Sequence, residues 1–103
     1  YIDDLVNAVY ILMQSDIQEP VNIGTEEYIS VKELVDLVFE IAGVNLNIKW
    51  VPGPVGVQSR NFSHEKIYSL GFKPEYTIKK GLEITYKWIE EQVRKWENKN
   101  NNL

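Results

Sequence analysis

Two hydrophobic periods alternate along this chain, one near 3.6 residues and one near 2. From Asp3 to about Gln14, apolar side chains stand at Leu5, Val6, Ala8, Val9, Tyr10, Ile11, Leu12 and Met13, so the helix predicted there is apolar almost all the way round. Asp3 and Asp4 open it, where carboxylates suit the positive end of a helix. Such a helix needs cover on more than one side, which in so short a chain predicts cover from another domain or another molecule. Val21 and Ile23 alternate with Asn22 from Pro20 to Thr25, and Ile48 and Trp50 flank Lys49 from Asn47 to Val51; both stretches read as short strands, ended by Gly24 and Pro52.

Between them lies the clearest helical pattern. Ser30 and Glu33 form an S-x-x-E capping box, Ile29 and Leu34 are spaced as a hydrophobic staple, and Val31, Leu34, Val35, Val38, Ile41 and Ala42 trace one apolar face before Gly43 stops it. Strand, helix and strand predict a βαβ unit with a right-handed crossover. Ser63 caps a short helix to Leu70, with Gly71 as its stop. Thr77 caps a last helix in which Ile78, Leu82, Thr85, Tyr86, Ile89, Val93 and Trp96 keep the period, while Glu83 with Lys87 and Glu90 with Arg94 pair at i, i+4. The fold class predicted is α/β: a small βαβ unit with two short parallel strands and about four helices. Residues 1–97 form one domain, and the polar run 98–103 is a disordered tail.

Composition narrows the function. At 103 residues and 44% apolar, the chain holds one domain's core and no more. A net charge of −4 argues against an electrostatic grip on nucleic acid or on an anionic membrane, so neither is expected as a partner. The absence of cysteine excludes disulfides, thiolate zinc sites and cysteine nucleophiles. No apolar run approaches the ~20 residues that span a bilayer. The sequence opens at Tyr1 with neither methionine nor signal peptide and enters a helical pattern at once, the expectation for a fragment of a longer, cytoplasmic chain.

Few residues offer chemistry. His64 lies between Ser63 and Glu65, but neighbours on one helical turn cannot converge as a triad must, so a solvated first-turn histidine is expected. The pairs Asp3–Asp4, Glu26–Glu27 and Glu90–Glu91 are adjacent and do not face one another, which fits capping and solvation better than acid–base work or metal binding. Asn61-Phe62-Ser63 matches a glycosylation sequon, which has meaning only on a secretory route. The longest irregular stretch, Pro52 to Phe62, contains two prolines and two glycines without a dinucleotide or P-loop pattern. Within it Arg60, beside Gln58, Ser59 and Asn61, has the fork geometry for a phosphate or diphosphate; pairing with a surface acid or capping a helix carboxyl end are the structural alternatives.

Several segments, in order along the chain, resemble the carboxyl-terminal part of extended short-chain dehydrogenase/reductases that act on nucleotide sugars, the NAD-dependent epimerase/dehydratase family. Tyr1-Ile2-Asp3-Asp4 resembles its Y-[IV]-D-D segment, Pro20-Val21-Asn22-Ile23-Gly24 its xNIG strand, Leu70-Gly71-Phe72-Lys73-Pro74 its LGWxP turn, and Gly81-Leu82 with Trp88 its final helix. Within the family, Pro52 to Val57 followed by Arg60-Asn61 looks most like the GDP-mannose 3,5-epimerase branch. Phe72 stands where tryptophan is usual, and Gln58-Ser59 replace a more basic, glycine-containing pair.

The resemblance implies a substrate-binding lobe lacking its Rossmann domain. Its partners would be a nucleotide sugar (GDP-, UDP- or dTDP-linked) and the missing amino-terminal lobe, with self-association of the fragment expected. Arg60, Asn61 and Gln58 would be the substrate contacts. No catalytic, cofactor or metal residue is assigned, because the dinucleotide loop and the Tyr-x-x-x-Lys pair are absent; NAD would belong to the parent enzyme, an isomerase. A sugar-nucleotide 4,6-dehydratase or decarboxylase, and a helical interaction module without ligand, are the alternatives.

Overall fold

The computed structural model describes residues 1–102. Four α-helices are found among them: α1 (Ile2–Met13), α2 (Val31–Ala42), α3 (Glu65–Ser69) and α4 (Ile78–Asn101). The described residues contain no strand, so the α/β class with its βαβ unit of two parallel strands is corrected to an all-helical arrangement. The physical reason lies in what a strand requires. Period-two alternation can serve one-sided packing without any ladder: Val21 and Ile23 pack on the apolar cluster, yet their backbone pairs with no second strand. Ile48, Trp50 and Val51 remain exposed, so nothing draws the second segment into register with the first.

The chain divides into two compact units, one of Tyr1, Tyr28–Leu46 and the chain from Tyr76 onward, the other of Ile2–Glu27 and Asn47–Glu75. In the first, α2 begins where Ser30 Oγ accepts the Glu33 N–H at 3.1 Å and Glu33 Oε2 accepts the Ser30 N–H at 2.7 Å, the reciprocal capping box. It ends at Gly43, whose φ of 68° is left-handed and disfavours a Cβ. Thr77 Oγ1 accepts the Lys80 N–H at 3.1 Å and starts α4. Lys79 Nζ reaches Glu40 Oε1 at 2.8 Å, tying α4 to α2, and this contact raises the Lys79 pKa above its ordinary value. The Tyr1 ring packs against Tyr76 at 4.7 Å between centroids and lies over Gly81, where a Cβ would come within 3.0 Å of Tyr1 Cβ.

Along α4, Glu90 pairs with Arg94 at 3.1 Å and Glu91 with Lys95 at 2.7 Å, while Glu83 lies 3.9 Å from Lys80. The helix continues through Asn98 to Asn101 with Asn102 at its C-cap, so these residues are helical where a disordered tail is expected from the sequence. Propagating a helix already nucleated and packed adds each residue at little cost. Leu103, the end of that tail, lies outside the described residues.

The second unit holds the buried apolar cluster. Ala8 of α1, Ile67 of α3 and Phe72 are buried, with Ile11, Leu12, Val21, Ile23, Tyr68 and Leu70 packed against them. Gly71, at φ 92°, turns the chain out of α3 so that Phe72 can enter this cluster. On α1 the fully buried positions are Asp4 and Ala8, whereas Leu5, Val6, Val9, Tyr10 and Met13 stay exposed.

Candidate functional site

The Pro52–Phe62 stretch is irregular and exposed throughout. Pro52 and Pro54 each fix a φ and give up an N–H, which keeps the segment out of helix or ladder. A Cβ placed on Gly53 or Gly56 would meet nothing within 4 Å, so packing does not demand glycine at either position. Gln58, Arg60 and Asn61, the substrate contacts expected from the sequence, all stand exposed on this loop. Asn61 also lines an open recess with Glu26, Phe62, Ser63, His64 and Glu65. Two carboxylates make that recess a poor place for a diphosphate, and the one guanidinium of the loop, Arg60, stands just upstream of it.

The downstream end of the loop is fastened to residues 22–26. Asn22 Nδ2 donates a long hydrogen bond, 3.5 Å, to the Ser63 carbonyl. His64 Nδ1 lies 3.2 Å from Glu26 Oε1; since an ionised carboxylate only accepts, Nδ1 carries the proton of this bond. The imidazole rests on Gly24, where an added Cβ would come within 2.5 Å of Nε2 and 3.2 Å of both Cδ2 and Cε1. Tyr68 closes the other side, its ring 6.0 Å from the imidazole and its hydroxyl donating to the Gly24 carbonyl at 3.4 Å. Burial, and after it the Glu26 carboxylate, holds the Tyr68 phenol above its ordinary pKa.

His64 is therefore not the solvated first-turn residue expected from the sequence. Its side chain is 11% exposed, and it occupies the N-cap position of α3 without making a side-chain cap. Ser63, expected as the cap, lies one residue earlier and accepts the Glu65 N–H at 3.4 Å. The partner that changes His64's role, Glu26, is 38 residues away, beyond the reach of any local spacing rule. Gly24 was the only trace of it in the sequence: a glycine after Asn22-Ile23 is the residue that leaves room for an approaching ring. Asp4 likewise takes its role from a residue far along the chain. It is buried, 5% exposed, and its Oδ1 accepts the Glu75 N–H at 2.9 Å, so it is a tertiary tether rather than a solvated member of a carboxylate pair.

Among the described residues no group of three or more His, Asp or Glu side chains could hold a metal ion, and no helix is long and apolar enough to cross a membrane.

Comparison with known proteins places these features in a lineage. No family model and no solved structure matches the chain. Among curated proteins, it is 43% identical over 96 residues to GDP-mannose 3,5-epimerase of Arabidopsis thaliana, covering 92% of this chain and 26% of that protein. It is 33% identical over 95 residues to GDP-L-fucose synthase 1 of Arabidopsis thaliana (90% and 29%), and 31% identical over 107 residues to dTDP-D-glucose 4,6-dehydratase of Homo sapiens (95% and 31%). The chain thus spans between about a quarter and a third of the length of the curated relatives it matches. With segments of the family's motifs running from Tyr1 to Trp88 and these relatives covering nine-tenths of its length, the chain belongs to the extended short-chain dehydrogenase/reductase family of sugar-nucleotide epimerases and dehydratases, as part of its carboxyl-terminal region.

Proposed function

We propose that this chain is the nucleotide-sugar-binding part of a sugar-nucleotide epimerase of the GDP-mannose 3,5-epimerase kind. The observation that carries the reading is the 43% identity to that epimerase over nearly the whole chain. The loop's chemistry agrees with it: Arg60 stands exposed as a fork-shaped cation, with Asn61 and Gln58 as neutral hydrogen-bonding groups beside it. In this role Arg60 neutralises the diphosphate, and the loop fixes the sugar's position for chemistry carried out by another part of the protein.

The full protein's reaction is NAD-dependent, in the cytoplasm, with a Rossmann lobe as this chain's partner. NAD supplies a transient oxidation of the sugar. The residues of this chain do not fit that cofactor: its glycines form no G-x-G-x-x-G turn, and no strand leads into a helix to present one among the described residues. Its own contribution is therefore confined to binding and orientation. A sugar-nucleotide 4,6-dehydratase is the second reading, favoured by the 31% identity to the human dTDP-D-glucose enzyme.

Affinity measured by calorimetry on the full-length protein tests the binding role. Arg60→Ala should weaken GDP-mannose binding by about one to two powers of ten, the ~1.5–3 kcal/mol of a charge-assisted hydrogen bond. Arg60→Lys should recover part of the loss, because an ammonium keeps the charge without the parallel pair of bonds. Unchanged affinity together with a lower thermal midpoint would make Arg60 a structural ion-pair partner and remove the assignment.

A further inference from the structure

We propose that His64 is a positioning residue for the loop's ligand-binding side chains, setting Arg60 and Asn61 in place through its seat on Gly24 and its bond to Glu26; the proposal rests on the binding role given to that loop above. Three contacts from the downstream end of the loop and the start of α3 converge on residues 22–26. The Ser63 carbonyl is held by Asn22, the imidazole by Glu26, and the Tyr68 hydroxyl by the Gly24 carbonyl. His64 is the most enclosed of the side chains around the recess that Asn61 lines. Asn61 lies three positions before His64 and Arg60 four, so at ~3.5 Å per residue the chain cannot carry Arg60 more than about 14 Å from this anchor.

The seat leaves no room for a side chain at position 24 while the ring stays where it is. A Cβ there would stand 2.5 Å from Nε2, with ring carbons at 3.2 Å, so the imidazole itself would have to move. The consequence of moving it falls on the loop, because the ring is the side chain that joins residue 64 to Glu26. Glu26 faces the recess alongside Glu65, and its bond to His64 Nδ1 turns one carboxylate oxygen toward the ring.

Gly24→Ala in the full-length protein is the direct test, since it displaces the ring while leaving Arg60, His64 and Glu26 all present. GDP-mannose and GDP are the probes. The expected result is an affinity loss of about threefold to tenfold for both, the span of one misplaced hydrogen bond, with faster amide exchange over residues 58–63. His64→Ala should behave alike and serves if the alanine at position 24 impairs folding. The decisive reading is coupling: combined with Arg60→Ala and Asn61→Ala together, either variant should cost little beyond that double variant alone, because the ring acts through those two side chains. Strictly additive losses, or faster exchange with affinity unchanged, would overturn the proposal while leaving the binding role intact. If Arg60→Ala by itself leaves affinity unchanged, the binding role fails, and the positioning role with it.

Discussion

Asp4 and Glu75 stand 71 positions apart, and the carboxylate of the first accepts the backbone N–H of the second at 2.9 Å. The bond joins the opening Y-I-D-D segment to the residue that follows the L-G-F-K-P turn, so two motifs recognisable separately in the sequence are one structural unit. Burial gives the bond its weight: Asp4 is 5% exposed, and an N–H left without an acceptor would be costly. Asp4→Ala should destabilise the protein by about 1–3 kcal/mol, and Asp4→Asn, which keeps a carbonyl acceptor, by less. Chemical denaturation checks the order of the two variants.

The capping box at the start of α2 should respond to acid. Hydrogen bonding from Ser30, side chain first and backbone second, lowers the Glu33 pKa below its ordinary value. A carboxyl whose value is depressed by folding contributes its stability above the unfolded value and loses it as pH falls through the folded one. Amide exchange at Ser30 should therefore accelerate as pH drops below the ordinary carboxylate range, after correction for intrinsic rates. Glu33→Gln should flatten that dependence, since the amide keeps the bond to the Ser30 N–H without titrating. Ser30→Ala should cost about 0.5–2 kcal/mol near neutral pH, the usual worth of a cap, and less in acid, where Glu33 is protonated.

What could be read from the sequence was what short spacings decide. Ser30 with Glu33, Gly43, Thr77 and Gly71 act within a turn or two of their own position, and the structure places each where the local rules put it. The strands failed because alternation reports which side chains face an apolar cluster, and Val21 and Ile23 do face one. It does not report whether a second backbone lies within hydrogen-bonding reach. The loop carrying Gln58, Arg60 and Asn61 was visible through its prolines and glycines. Its anchor was not, because His64 takes its role from Gly24 and Glu26, which no periodicity connects to it.

Ile2, Leu5, Val6, Val9, Tyr10 and Met13 of α1 are all exposed. Apolar area of this kind on a single helix favours association. The isolated chain should self-associate, with sedimentation equilibrium showing an average mass that rises with concentration. Leu5→Lys combined with Val9→Lys should return it toward a monomer. A compact monomer across a hundredfold range of about micromolar concentrations would show that the α1 face needs no cover.

The proposed function requires that a nucleotide sugar be held at the loop before α3. Its most direct test is to titrate the isotopically labelled full-length protein with GDP-mannose and follow the backbone amides by NMR. Saturable shifts should be largest at Gln58, Arg60 and Asn61, smaller at His64, and of no comparable size along Gln92–Asn101 of α4. Saturable binding whose shifts leave residues 58–61 unmoved would contradict it.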